Sequence, residues 1–95
     1  MAASVHHPHY QLLLTLLKEA RQQKRVTQIE LAERIQNTQT FVSKMERGSR
    51  RLDVLELVEV LEALNIAPES WFREFLKQRE AVRKDGKAKR KISMQ

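Results

Sequence analysis

Residues 27–48, which read TQIELAERIQNTQTFVSKMERG, decide the fold. Thr27 and Glu30 have the spacing of a capping box, in which each side chain accepts from the other residue's backbone N–H, so a helix begins there. A second short apolar pattern begins after Thr38, and Gly48 supplies the left-handed residue that commonly ends a helix. Two short helices joined by a turn of a few residues are the helix-turn-helix arrangement.

A longer helix is expected on each side of this pair. Apolar residues at helical spacing predict an amphipathic helix over residues 10–23, and Pro8 suits its first turn. Asp53 and Glu56 form another capping arrangement, which begins helix four, and Asn65 closes it. The apolar positions that we expect helix four to bury are Leu55, Val58, Leu61 and Leu64.

The last helix begins at Pro68, and we expect Asp85-Gly86 to break it. The predicted fold class is all-α, with five helices. Few apolar residues follow Gly86, so that segment has too few apolar side chains to form a hydrophobic core. The resulting boundaries are a flexible arm at 1–8, the domain at 9–84 with the helix-turn-helix proper at 27–47, and a disordered basic tail at 85–95.

Composition narrows the classes of function. The 95 residues fit one small domain and contain no cysteine, which excludes disulfides and cysteine chemistry. The net charge is +6, and residues 77–95 carry it with eight basic and two acidic side chains, which favours a polyanionic partner. The longest apolar run, at 12–17, is shorter than the roughly 20 residues of a membrane span. We expect no membrane association, no signal peptide and a cytoplasmic, nucleoid-associated protein.

No pattern in the sequence indicates catalysis. Paired carboxylates, a Ser/His/Asp arrangement and a glycine-rich phosphate loop do not stand out, so we do not expect an enzyme. His6, His7 and His9 lie close together, but histidines in an arm without a carboxylate partner have no fixed ligand geometry. We therefore predict no metal site and no cofactor.

The quoted stretch, with LLKEAR upstream and LDVLELVEVLEALNI downstream, resembles the Cro and phage-repressor (XRE) family of helix-turn-helix DNA-binding proteins. The resemblance covers residues 14–72. It is carried by four spaced elements, which are Thr27-Gln28, Leu31-Ala32, Phe41-Val42-Ser43-Lys44 and Glu46-Arg47-Gly48. The family usually has glycine where this chain has Gln36, so a non-glycine residue with positive φ is expected there. We interpret it as an adjusted turn of modest energetic cost.

If helix three lies in the major groove, its first residues and those one turn later face the bases. Gln39, Thr40 and Lys44 lie on that face, and the resemblance implies base contacts at the same positions. Phe41 either touches a thymine methyl or packs in the core. The candidate phosphate contacts are Gln28, Ser43, Arg47, Arg50 and Arg51, with an exposed charged loop as the alternative for the last two. The resemblance also implies a buried ion pair between Arg21 and Glu46.

One helix-turn-helix unit reads only a few base pairs, so a homodimer on double-stranded DNA with a palindromic operator is expected. The candidate interface residues are Trp71, Phe72, Phe75 and Leu76, although the first two are equally suited to the monomer core. The function predicted first is a sequence-specific transcriptional regulator, as a repressor or autoregulator. The alternatives are an antitoxin with a toxin-like protein partner, and a general nucleoid or RNA-binding protein.

Overall fold

The computed structural model describes the backbone of residues 6–94 and the side chains of residues 6–84. Its elements, in chain order, are α1 (Pro8–Gln23), α2 (Gln28–Arg34), α3 (Gln39–Arg47), α4 (Val54–Ala63) and α5 (Pro68–Met94). Over the described backbone there is no strand, and the predicted all-α class with five helices is confirmed. Of the predicted arm, residues 1–5 lie outside the described residues, and Pro8 already belongs to α1.

Both predicted capping boxes are present and set the starts of α2 and α4. The Thr27 hydroxyl accepts from the Glu30 N–H at 3.0 Å, and a Glu30 carboxylate oxygen accepts from the Thr27 N–H at 2.8 Å. That backbone hydrogen bond lowers the pKa of Glu30. Asp53 and Glu56 exchange equivalent bonds of 2.8 and 3.0 Å. Each box satisfies N–H groups that the first helical turn would otherwise leave unpaired.

Left-handed residues end several helices. Gly48 and Asn65 adopt φ values of 78° and 59°, as their sequence positions predict. Gln36 has φ 57°, so the turn between α2 and α3 has the positive φ that was expected there, although the residue is not glycine. Arg25, at φ 59°, is a fourth left-handed residue that the sequence does not signal. At Gly48 a side chain would also meet Leu14, since a Cβ would lie 3.2 Å from its Cδ1.

The hydrophobic core is built mainly from α1, the α2–α3 pair and α4. Helix four buries a different edge from the predicted one. Leu55 is 66% exposed and Val58 is only partly buried, whereas Leu57 and Val60 are in the core together with the correctly predicted residues, Leu61 and Leu64. The reason is that α4 is apolar around more than half of its circumference, so helical periodicity alone does not select the edge that faces the core.

α5 is longer than predicted. The backbone of residues 85–94 is helical and continues through Asp85 and Gly86, so neither the predicted break nor the predicted disorder matches the structure there. A glycine inside a helix costs only about 1 kcal/mol relative to alanine, and the lysine, arginine and alanine residues around it are good helix formers. Residue 95 lies outside the described residues.

Gln36 provides a test of strain in the helix-turn-helix turn. Its side chain is exposed, so Gln36→Gly removes the left-handed strain and few contacts. We expect this variant to be more stable by about 0.5–1 kcal/mol in urea unfolding, because glycine adopts positive φ without steric cost. The matched control is Gln22→Gly in the last turn of α1, which should lose about 1 kcal/mol. Equal losses in both variants would contradict the assignment of strain to Gln36.

Candidate nucleic-acid interface

α3 is anchored by its apolar side and capped at both ends. The Thr38 hydroxyl accepts from the Phe41 N–H at 3.0 Å at the start, and Gly48 ends the helix. Val42 and Met45 are almost fully buried and bind α3 to the core. The opposite side of α3 therefore faces solvent.

The residues predicted to contact bases share this solvent face. Gln39, Thr40 and Lys44 are all exposed, and they lie at the start of α3 and one turn later. Arg47 is exposed on the same side, and Ser43 is half-buried between them. A helix that is packed on one side and polar on the other can present its polar side to a major groove.

The side chain of Gln39 is held by a neighbour from the other helix of the pair. Its Nε2 donates to Oε1 of Gln28 at 3.1 Å, and Nε2 of Gln28 donates to Oε1 of Glu46 at 2.8 Å. Gln28 is therefore a bridge between α2 and both ends of α3, a role that the sequence analysis missed. The signal was the position of both glutamines at a helix start, because a helix-turn-helix brings the two starts together.

The ion pair expected between Arg21 and Glu46 is present. Nε of Arg21 lies 2.6 Å from Oε2 of Glu46, and Nη2 donates to Oε1 at 3.1 Å. The remaining Arg21 nitrogen, Nη1, donates to the backbone oxygen of Val26 at 2.7 Å. The two side chains are only 10% and 5% exposed. This pair ties α1 to the end of α3, and it does so with geometry that is bidentate and therefore directional.

Arg50 is occupied by contacts within the chain, which favours a structural role over the predicted phosphate contact. Its Nη1 and Nη2 donate to the two oxygens of Glu56 at 2.9 and 2.8 Å, and Nη1 also donates to the backbone oxygen of Arg51 at 2.7 Å. The hydrogen bonding between the Arg50 guanidinium and the Glu56 carboxylate lowers the pKa of Glu56 and raises the pKa of Arg50. Arg50 thus clamps the connection between α3 and α4 onto the first turn of α4.

Phe41 packs against the side chain of Arg50. The guanidinium of Arg50 lies 4.4 Å from the centre of the Phe41 ring, and Phe41 is half-buried against the core. Core packing is therefore the better interpretation of Phe41, and a thymine contact is not supported. The remaining phosphate candidates stay at the surface around α3, with Arg47 and Arg51 exposed and Gln28 and Ser43 half-buried.

The aromatic residues of α5 divide between core and surface. Phe75 is only 7% exposed, and its ring lies 6.1 Å from that of Trp71 and 5.7 Å from that of Phe72. Phe75 is therefore unavailable as an interface residue, which corrects the prediction, because it faces the body of its own chain. Trp71 packs partly against the core. Phe72 and Leu76 remain exposed, at 43% and 44%.

Two further contacts hold the scaffold and have no obvious sequence signal. The Tyr10 hydroxyl accepts from the Leu52 N–H at 2.9 Å, which joins α1 to the segment before α4. Nη1 of Arg34 donates to the backbone oxygen of Ala63 at 2.9 Å, which joins the end of α2 to the end of α4. Both depend on residues far apart in sequence.

Among residues 6–94, no helix has the length and apolar character needed to cross a bilayer.

The Arg21 and Glu46 pair provides a stability test. Arg21→Ala should lower the free energy of unfolding by about 3–5 kcal/mol, because it leaves the Glu46 carboxylate buried without its charged partner. Urea unfolding measures this change. The control is the double variant Arg21→Met with Glu46→Leu, which should lose much less because no uncompensated charge remains. An unchanged melting temperature for Arg21→Ala would contradict the prediction.

Comparisons with known proteins agree with this geometry. A helix-turn-helix family model matches residues 17–71, more than half of the chain. An XRE-family-like protein from Pseudomonas syringae pv. tomato str. DC3000 has a similar structure, with a TM-score of 0.74 and 38% identity, over 80% of this chain and 93% of that one. No curated protein matches the chain significantly.

A second similar structure is the wild-type restriction-modification controller protein C.Esp1396I. Its TM-score is 0.69 at 25% identity, over 75% of this chain and 92% of that one. The family match, the similar structures and the exposed polar face of α3 agree with one another. The chain therefore belongs to the XRE family of helix-turn-helix, DNA-binding regulators of transcription.

Proposed function

We propose that the protein represses transcription by binding a palindromic operator as a homodimer, with α3 of each copy in the major groove, and that it acts by binding rather than by catalysis. The observation that carries the proposal is the exposed face of α3. Gln39, Thr40 and Lys44 lie on this face, and the opposite side of the helix is apolar and buried. The similarity to a controller protein supports a regulatory role.

Base recognition follows from the chemistry of this face. A glutamine amide donates to and accepts from N7 and N6 of adenine, a lysine donates to O6 and N7 of guanine, and a threonine methyl contacts the methyl of thymine. The bond from Gln39 to Gln28 restricts the amide of Gln39 before DNA arrives. Less side-chain entropy is then lost on binding, so Gln28 favours binding as a positioning residue for Gln39.

Phosphate contacts fix the register of the protein on the duplex. Gln28 lies at the start of α2, and Ser43, Arg47 and Arg51 lie on or just after α3. Arginine contacts displace condensed counterions, so binding weakens as salt rises. We assign these four residues to the DNA backbone, and we assign Arg50 to the scaffold.

A dimer is proposed because one recognition helix is short. α3 has nine residues, a length of about 13 Å, and contacts only a few base pairs. Two copies on a twofold symmetric site read twice as many, at half-sites about one helical turn apart. A bound dimer that overlaps a promoter blocks it sterically, which is sufficient for repression.

The proposal is tested by selection from a random duplex DNA pool at physiological salt. We expect a palindrome with half-site centres about 10 base pairs apart or a multiple of that spacing. Reporter expression from a promoter that carries the palindrome should then fall when the protein is present. An unenriched pool, with binding abolished by moderate salt, would contradict sequence-specific recognition.

Two variants separate base contacts from phosphate contacts. Gln39→Ala should relax the selected sequence at one position of each half-site and weaken binding to the original site by about 1–3 kcal/mol per half-site. Arg47→Ala should weaken binding to all sequences and lower the magnitude of the salt slope by about 1 per half-site. The control is Lys77→Ala on α5, a helix that has no substantial contact with α3. A Gln39→Ala chain that selects the original sequence would contradict the assignment of Gln39.

A further inference from the structure

The net charge of the chain lies in the second half of α5. Residues 1–76 contain ten basic and ten acidic side chains, whereas residues 77–95 contain eight basic and two acidic ones. Among the ten basic side chains before residue 77, Arg21 and Arg50 are already used in the scaffold, since each binds a glutamate. Long-range attraction to a polyanion therefore comes mainly from α5 and not from the part of the chain that holds α3.

α5 runs antiparallel to α1. Trp71, early in α5, lines a cavity between the two helices together with Gln23, the last residue of α1. Partial desolvation lowers the pKa of His9, at the start of α1, and the positive charges of Arg79 and Arg83 lower it further. Charges act in this way only from nearby, so the two arginines lie beside the start of α1.

The start of α1 also lies beside the end of α3. The Tyr10 hydroxyl accepts at 2.9 Å from the N–H of Leu52, in the connection between α3 and α4. At Gly48, which ends α3, a side-chain Cβ would lie 3.2 Å from Nε2 of Gln11. The end of α3 and the second half of α5 are therefore both adjacent to the start of α1. The basic residues of α5 thus lie at the same end of the domain as Arg47, in the last turn of α3.

Two arginines form a strip along this part of α5. Arg79 is half-buried and Arg83 is exposed, and their spacing of four residues places them on one side of the helix. Nε of Arg83 lies 3.5 Å from Oε1 of Glu80, an exposed pair that contributes little and that a phosphate can replace. Lys77 and Lys84 are also exposed, but they lie about 100° or more around the helix from both arginines. We call Arg79 and Arg83 the arginine strip.

Duplex DNA fits the arginine strip better than another polyanion does. A guanidinium presents paired donors that match the oxygens of a phosphate. An anionic membrane would also require a broad apolar side on the helix. From residue 77 onward the only large apolar residues of α5 are Val82, Ile92 and Met94. The chain belongs to a family of DNA-binding regulators, so duplex DNA is the polyanion that it meets.

We propose that the arginine strip is a second DNA contact, which binds phosphates of the duplex separately from α3. The inference rests on the proposed function for DNA as the partner, and it adds a contact that does not depend on base sequence. Phosphate contacts carry no sequence information directly. The strip therefore raises the affinity for every duplex and steers the encounter with DNA, while α3 selects the sequence.

Binding of the full chain to a duplex of arbitrary sequence tests the proposal, because this probe needs no operator. Arg79→Gln with Arg83→Gln should lower the magnitude of the salt slope by about 2 per bound protomer, and should weaken binding at about 0.1 M salt by about 10-fold or more. Glutamine and arginine have similar helix propensities, so α5 should remain helical, which circular dichroism checks. Arg83→Gln alone, at an exposed position, should give about half of the change in slope.

The matched control is Lys77→Gln with Lys84→Gln. It removes the same charge from exposed positions of the same helix, on a different side, and should leave the salt slope nearly unchanged. Arg79→Lys with Arg83→Lys keeps the charge and should retain most of the slope. A wild-type slope in the arginine-to-glutamine variant, the same loss in the Lys77 and Lys84 control, or an equally large loss in the lysine variant would overturn the proposal.

Selection from the random duplex pool distinguishes this inference from the proposed function. Arg79→Gln with Arg83→Gln should enrich the same sequence as the wild type, because only phosphate contacts are removed. Selection of a palindrome by the wild type, with unchanged binding of the arbitrary duplex by the variant, would contradict the strip and keep the operator proposal. Loss of duplex binding in the variant, from a chain that enriches nothing, would do the reverse. Wild-type binding to anionic lipid vesicles but not to the duplex would overturn the assignment of DNA.

Discussion

The buried ion pair between Arg21 and Glu46 is the constraint on which the rest of the structure depends. It joins α1 to the end of α3, and the third nitrogen of Arg21 holds the backbone oxygen of Val26. Apolar packing of Val42 and Met45 is non-directional, so it stabilises α3 without defining its rotation closely. The bidentate bond adds a directional restraint on that rotation.

The same carboxylate connects the scaffold to the reading surface. Glu46 accepts from Gln28 as well as from Arg21, and Gln28 accepts from Gln39. At the other side of α3, Arg50 binds Glu56 and covers Phe41, so the connection to α4 is also held. The basic residues of this region therefore divide into two groups. Arg21 and Arg50 are used in architecture, whereas Lys44 and Arg47 are exposed on α3.

Rigidity of α3 within the chain is what a recognition helix requires. Its side chains meet base edges in register only if the helix keeps its rotation about its own axis. The ion pair between Arg21 and Glu46 holds the end of α3 to α1, and the bond from Arg50 to Glu56 holds the connection from α3 to α4.

Local residue patterns were sufficient to predict much of this protein. The capping boxes at Thr27 and Asp53, the left-handed residues Gly48 and Asn65, and the exposed face of α3 depend on neighbours within one or two turns, so the sequence alone determined them. Tertiary structure decided the rest. α4 is apolar on several sides, and only packing against α2 and α5 selected the edge that is buried and left Leu55 outside. Packing likewise placed Phe75 inside the chain. Arg50 and Arg51 are adjacent basic residues that local sequence does not distinguish, and the position of Glu56 after folding committed Arg50 to the scaffold.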